Sequence, residues 1–316
     1  MKKIKNQYNT HKILEWTFHY VTKSFACIVF LILISILVSL VYASWESIQT
    51  FGLSFLWTTD WNPSQNSYGA FVPIVGTLIS TCFALIIAVP ISLGIATFLT
   101  ELAPEWAKKT IGLAIEMLAA IPSIIYGMWG LFVFVPYFQE NIQPHLIHSL
   151  GNIPGIGFLF MDAPFGIGLF SAGLVLAIMI IPFIASIMRE VFTVVPHMLK
   201  ESAYGLGATT WEVIWNIILP YTKTAVIGGV MLGIGRALGE TMAITFVIGN
   251  AFNLPNSIFS PTTSITSAIA NQFNEAAGLQ KSALMELGLF LFLITTVVLI
   301  ASRLLIARIT IHEGKH

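Results

Sequence analysis

The sequence has little charge. Only 9% of its 316 residues are Asp, Glu, Lys or Arg, whereas a soluble domain has about a quarter. The 15 basic and 15 acidic side chains cancel to a formal net charge of zero, so nothing indicates an overall attraction to nucleic acid or to acidic substrates. Hydrophobic residues make up 56% of the chain. This composition excludes an ordinary soluble protein and favours a chain that resides in lipid.

The sequence also lacks the residue clusters that serve catalysis or metal binding. Its two cysteines, Cys27 and Cys82, lie in separate apolar runs without a Cys or His neighbour at metal-ligand spacing. His145 and His148 have no third ligand, so no metal site is predicted, and no catalytic triad is found. No G-x-x-x-x-G-K-[ST] phosphate loop occurs, because the only Gly-Lys pair is followed by His316. The chain is therefore not expected to be an enzyme, and any ATP hydrolysis is expected on another polypeptide.

Six apolar stretches are long enough to cross the hydrocarbon core of a membrane as helices. The first follows a basic start that resembles a secretory signal, but its apolar run is too long for one, so we predict an uncleaved first span. The predicted fold class is an all-α polytopic membrane protein with six transmembrane helices. The predicted spans are residues 24–44, 73–98, 111–135, 166–188, 221–249 and 284–306.

The positions of the basic residues predict the orientation of these spans. Short cytoplasmic loops retain Lys and Arg, whereas translocated loops have few of them. The segments predicted on the outer side, residues 45–72, 136–165 and 250–283, contain only Lys281. Both termini are therefore predicted to be cytoplasmic. The basic residues on the cytoplasmic side are Lys2, Lys3, Lys5, Lys12, Lys23, Lys108, Lys109, Arg189, Lys200, Lys223, Arg303, Arg308 and Lys315.

A polar segment at residues 196–220, between the fourth and fifth spans, has a recognisable spacing. It resembles the EAA signature of ABC importer permeases, E-A-A-x3-G-x9-I-x-L-P, and only Ser202 departs from the usual Ala. The resemblance implies that this coupling loop, residues 196–220, contacts a separate ATPase subunit that binds ATP and Mg²⁺, while this chain itself binds no cofactor. The matching residues, which the resemblance assigns to ATPase coupling, are Glu201, Ala203, Gly207, Ile217, Leu219 and Pro220.

The residues of the coupling loop also predict its shape. A short helix over residues 201–204 is followed by Gly205 and Gly207, which permit a turn, and Thr209 or Thr210 can cap a second helix near Trp211. An alternative is an amphipathic hairpin without a partner, in which two tryptophans, at positions 211 and 215, anchor at the lipid headgroups.

Two opposite charges fall inside the fifth predicted span. Arg236 and Glu240 are four residues apart, a spacing that places both on one face of a continuous helix. A charge near a helix centre costs about 2.5–3.5 kcal/mol on insertion scales, so such residues face protein or water. The pair is either a structural salt bridge or a waypoint for an anion, with Glu240 weakening the grip of Arg236. The same predicted face carries Gly229, Gly233, Ala243 and Val247.

Polar residues in two other spans are weaker candidates. Ser123 and Tyr126 lie about one turn apart and either line a path or bond to backbone carbonyls that Pro122 leaves free. Glu116 is close enough to the cytoplasmic end of its span to reach the interface, and Glu286 is interpreted as a residue at the outer boundary of the sixth span.

The string GRALGETMA, followed by IGN, resembles the PstC-type permease subunits of phosphate-specific ABC importers. The segments EMLAAIPSIIYGMWGLFVF and FGIGLFSAGLVLAIMIIPFIASIMREVF resemble the same family, so the likeness extends from about residue 69 onward. We accordingly divide the chain into residues 1–68, with the first span and outer loop, and residues 69–310, a permease core that contains the coupling loop.

The resemblance implies a function, a fold and a set of partners. It implies a type I ABC importer permease in the bacterial inner membrane that imports phosphate by alternating access. The implied partners are a PstA-type permease subunit, two ATPase subunits and a phosphate-binding protein. Two alternatives stay open: an ABC permease for molybdate or sulfate, and an ATP-independent secondary anion transporter.

Overall fold

The computed structural model describes the backbone of residues 2–313 and the side chains of residues 15–308. The side chains of the basic residues at positions 2–12, which support the predicted orientation, lie outside this range, as does Lys315. Long apolar helices dominate the described chain. The α-helices of its first half, long and short, are α1 (Lys2–Ala43), α2 (Trp45–Phe51), α3 (Phe71–Thr97), α4 (Glu105–Ala119), α5 (Ser123–Trp129), α6 (Val135–Tyr137) and α7 (Gln143–Leu150).

The second half continues in the same way. Across the chain, π-helical turns join α-helices end to end at Gly130–Phe134, Phe138–Ile142 and Ile214–Ile218, and a further π-helical turn at Phe98–Leu102 ends the helix that begins at Phe71. Short 3₁₀ helices occur at Gly52–Leu56, Pro63–Gln65 and Gly157–Phe160. The helices of this half are α8 (Leu169–Thr193), α9 (His197–Gly205), α10 (Thr210–Val213), α11 (Leu219–Leu238), α12 (Met242–Thr245), α13 (Ile265–Gln272) and α14 (Gly278–Glu313).

Six membrane spans follow from these helices, counting one bent pair as a span. The bent pair is Glu105–Ala119 with Ser123–Leu150, whose axes differ by 89°. Within the described residues, the five helices that are individually long and apolar enough are Glu15–Ala43, Phe71–Leu102, Leu169–Thr193, Thr210–Leu238 and Gly278–Arg308.

The predicted span at residues 111–135 is not one continuous helix. Pro122 lacks the backbone N–H that would bond to the carbonyl of Leu118, and the residue before a proline is disfavoured in the helical conformation. Helix α4 therefore ends at Ala119 and a new helix begins at Ser123. The apolar composition of the segment was sufficient to predict its membrane location but not its bend.

Helix α8 is the centre of the fold. It is apolar on all sides, which is typical of a buried helix, and most of its length is shielded by other helices. Its main neighbour is α3: the Ser92 hydroxyl donates to the Ile181 carbonyl at 3.1 Å, and a Cβ atom at Gly173 would collide with Phe83. These two helices form the frame against which the functional segments are placed.

A second, smaller cluster, on the side predicted to be outer, joins the segment after α2 to α14. Phe55 and Tyr68, from the segment after α2, are almost fully buried together with Leu284 and Leu287 of α14. The Ser282 hydroxyl accepts a hydrogen bond from the Ser47 backbone N–H at 3.0 Å. The N-terminal segment is thus attached to α14, and the division at residue 69 stays a prediction.

Candidate functional site

The coupling loop forms the predicted pair of short helices. Helix α9 is followed by Gly207 with a φ of 89°, a left-handed conformation that glycine adopts without strain. Thr209 caps α10 in a capping box, since its hydroxyl accepts from the Glu212 N–H and the Glu212 carboxylate accepts from the Thr209 N–H at 2.7 Å. The predicted helix–turn–helix shape is confirmed, with the first helix beginning earlier, at His197.

The residues of the EAA signature separate into two groups. Glu201 and Gly207 are exposed, so their surface is free to receive another protein. Ala203, Ile217 and Leu219 pack instead against the core of this chain. The signature therefore combines residues that are exposed on the hairpin with residues that anchor it to the spans.

Two ion pairs next to the coupling loop were missed by sequence reasoning. Lys200 of α9 bonds to Glu101 at 2.6 Å, and both side chains are shielded, at 11% and 8% exposure. Arg189 of α8 bonds to Glu116 of α4, passing over Gly112, where a Cβ atom would collide with the guanidinium. Glu116 thus reaches a specific partner rather than only the interface.

A cavity of about 520 Å³ lies beside these ion pairs. Its charged lining is mostly basic and comes from the ends of α4, α8 and α9, all predicted to be cytoplasmic. The charged and imidazole side chains that line it are Lys108, Lys109, Glu116, Arg189, His197 and Lys200.

The prediction of a continuous fifth span over residues 221–249 is wrong. Helix α11 ends at Leu238, and the short helix α12 begins at Met242. One tertiary and one local hydrogen bond hold this break. The Glu240 backbone carbonyl accepts from the Thr266 hydroxyl at 2.8 Å, and the Glu240 carboxylate accepts from the nearby Ala243 N–H at 3.2 Å. Because the helix stops between them, Arg236 and Glu240 do not share one helical face. Ala243 and Val247, which were predicted on that same face, also lie beyond the end of α11.

Arg236 is placed against an aromatic ring rather than a carboxylate. Its guanidinium carbon lies 4.9 Å from the centroid of Phe183 on α8, within the range of a cation–π interaction. Among the described residues it forms no ion pair, and Glu240 is directed to a backbone N–H instead. The salt-bridge alternative for this pair is therefore not realised in the structure.

Helix α5 packs against α12 next to this break. A Cβ atom at Gly127 would lie 2.8 Å from the Met242 carbonyl oxygen, so glycine is needed for this close approach. The Tyr126 hydroxyl donates to the Leu118 carbonyl at 2.9 Å, the acceptor that Pro122 leaves free. Ser123 begins the same helix and is half-buried.

Glu286, predicted at the outer boundary of the sixth span, is shielded by other parts of the chain. It is only 2% exposed and lies in the outer cluster near Ser47 of α2. One of its carboxyl oxygens has no hydrogen-bond partner within the described part of the chain. The sequence showed its position in an apolar helix but not the segment that covers it.

The comparisons with known proteins place these features in a family. A model described as "Binding-protein-dependent transport system inner membrane component" matches residues 69–311. The chain belongs to this family. It is therefore a multi-pass inner-membrane permease that works with other transporter subunits, and it is not itself an enzyme.

Within this family the chain is PstC-type. The "Phosphate transport system permease protein PstC" of Pasteurella multocida is 71% identical over 305 residues, which cover 96% of this chain and 95% of that protein. The protein of the same name in Haemophilus influenzae is 68% identical, with 96% of each chain covered. A "Probable phosphate transport system permease protein PstC" of Methanocaldococcus jannaschii is 37% identical, over 86% of this chain and 87% of that protein.

Solved structures support the fold. A bacterial ABC transporter described as involved in the import of the acidic polysaccharide alginate aligns with a TM-score of 0.55 and 17% identity, over 82% of this chain and 88% of that one. The inward-facing MetNI methionine ABC transporter aligns with a TM-score of 0.53 and 14% identity, over 76% and 94%. The predicted ABC importer permease fold is confirmed.

Proposed function

We propose that this family member is the membrane permease of an ATP-driven importer of inorganic phosphate. The observation that carries the proposal is the coupling loop, an exposed helix–turn–helix with the spacing of the EAA signature, in a chain whose sequence has no nucleotide-binding loop. Phosphate as the substrate is supported by the names of relatives that match nearly the whole chain.

The proposed complex contains several other polypeptides. A PstA-type permease subunit completes the membrane part, and two ATPase subunits carry ATP and Mg²⁺ on the cytoplasmic side. A phosphate-binding protein delivers the anion to the outer surface. Both termini of this chain are cytoplasmic in this arrangement, in accord with the Lys and Arg residues concentrated on that side of the predicted spans.

Arg236 is the proposed waypoint for the anion inside the membrane. Its charge is stacked on Phe183 and is not neutralised by Glu240, so its N–H donors are available for a phosphate oxygen. Tyr126 and Ser123 lie on the helix that packs beside the break, and we assign them to the same path. The sequence suggested that Glu240 competes with the anion for Arg236 and so releases it. Because Glu240 does not contact Arg236, we propose instead that the anion is released when α8, which carries Phe183, moves relative to Arg236.

Alternating access is the proposed mechanism. Closure of the two ATPases moves the coupling loop, and the spans attached to it change their packing so that the path opens outward and then inward. The residues proposed to couple the ATPases to the spans are those of the EAA signature, with Glu201 and Gly207 on the contact surface and Ala203, Ile217, Leu219 and Pro220 at its base.

Reconstitution tests both the energy source and the substrate. The complete complex in proteoliposomes, with the binding protein outside, is expected to show ATP hydrolysis that phosphate stimulates and that sulfate and molybdate do not. Equal stimulation by all three oxyanions would contradict the phosphate assignment. Phosphate uptake that continues without ATP would instead favour a secondary transporter.

A further inference from the structure

The ion pair between Lys200 and Glu101 is unusual because it is shielded although Lys200 belongs to the exposed coupling loop. Helix α9 has no buried residue, and only Lys200 and Ala203 of its side chains are partly covered. Ala203 makes an apolar contact, which has no preferred direction. The ion pair, at 2.6 Å with side-chain exposures of 11% and 8%, is the directional contact between α9 and the membrane spans.

Glu101 connects this contact to a helix that the chain does not join to α9. Residues 194–196 link α9 directly to α8, whereas Glu101 lies in the π-helical turn that ends the span Phe71–Leu102. The ion pair therefore bridges 99 residues of sequence and gives the coupling loop a second attachment.

From Glu101 a continuous set of contacts leads to the proposed anion waypoint. The helix that carries it packs along α8, where Ser92 bonds to the Ile181 carbonyl at 3.1 Å. Two residues further on, Phe183 of α8 lies under the guanidinium of Arg236. A displacement of α9 that pulls on Glu101 is thus applied to the same pair of helices that positions Phe183.

We propose that Lys200 and Glu101 are positioning residues that transmit movement of the coupling loop to the span Phe71–Leu102 and, through α8, to Arg236. The inference rests on the proposed function, because it needs a transported anion and an ATPase to be coupled. Removal of one partner leaves an uncompensated shielded charge, so α9 loses this directional attachment. Its apolar contact and its covalent link to α8 remain, and the ATPase surface around Glu201 is not altered.

The test measures the coupling of hydrolysis to uptake in the complete complex. In proteoliposomes with the binding protein, E101Q and K200Q are each expected to lower phosphate uptake about tenfold. This is less than the full energetic cost of removing one partner of a buried ion pair would produce. The ATPases are expected to stay bound and to continue hydrolysis, so the ATP consumed per phosphate rises about tenfold. The exchanged pair E101K with K200E is expected to restore most of the coupling.

The chain offers a matched control in the exposed ion pair between Lys108 and Glu105, with side-chain exposures of 34% and 81%. E105Q is expected to keep the wild-type ratio, since exposed ion pairs contribute little. If E101Q does not assemble, K200R and K200Q are compared instead. K200R keeps the positive charge and is expected to keep the wild-type ratio of ATP consumed to phosphate transported, whereas K200Q is expected to raise that ratio. An unchanged ratio in E101Q and K200Q, or in both K200 variants, would overturn the inference. A wild-type complex without ATP-dependent phosphate uptake would instead overturn the proposed function.

Discussion

The coupling loop and the break after Arg236 are both polar interruptions of an apolar chain, but they are held in different ways. In the coupling loop, the turn depends on Gly207 and the second helix on the capping box of Thr209 and Glu212, all within six residues. The break after Leu238 depends on Thr266, 26 residues away, which bonds to the Glu240 carbonyl.

This difference matches the tasks proposed for the two regions. A loop that contacts another protein keeps its shape from its own residues, because its outer surface must stay free. A charged residue in the membrane needs contacts from several helices, since lipid cannot satisfy it. Arg236 accordingly lies against the ring of Phe183 on α8.

The largest effect is expected from R236Q, next to the break that a distant residue holds. Loss of the charge removes the proposed donor to the anion, and we expect uptake to fall about a hundredfold or more, as for the loss of roughly 3 kcal/mol from a charge-assisted hydrogen bond. The complex should still purify with its ATPases. The control is K281Q, which removes a cation stacked at 5.2 Å on Phe273 on the side predicted to be outer. Uptake retained in R236Q would refute the waypoint.

The next effect is expected from G207V in the coupling loop. A β-branched residue at a φ of 89° costs at least about 1–2 kcal/mol and distorts the turn, so the ATPase should no longer co-purify. G205A is the matched control, because Gly205 has open space around its Cβ position and an ordinary φ. Equal ATPase recovery with both variants would show that the turn is not part of the docking surface.

The smallest effects come from removing one hydrogen bond in each region. T266V leaves the Glu240 carbonyl without its donor and should lower stability by about 1–3 kcal/mol. T209A removes a helix cap and should cost about 1 kcal/mol. The thermal unfolding midpoints of the complex in detergent should therefore fall more for T266V. A larger decrease for T209A would contradict the conclusion that the break after Leu238 depends on a distant residue more than the coupling loop depends on its own cap.

The parts of the structure that could be predicted from the sequence are those with local causes. Apolar length located the spans, and the glycines and threonines of the coupling loop predicted its two helices. Glu240 was misplaced, because a regular apolar pattern continues through it while its actual partner, Thr266, lies in another segment. No pattern along the chain pairs Glu101 with Lys200, since their meeting depends on how α3 and α8 pack.

The π-helical turn at Ile214–Ile218 lies between α10 and Arg236 within one continuous helix. Such a turn takes up one residue more than an α-helical turn, so it resets the rotational phase of everything that follows. The direction in which Arg236 faces, relative to α10, therefore differs from the one that an uninterrupted α-helix would give. One helix can in this way satisfy two partners whose positions around its axis are unrelated.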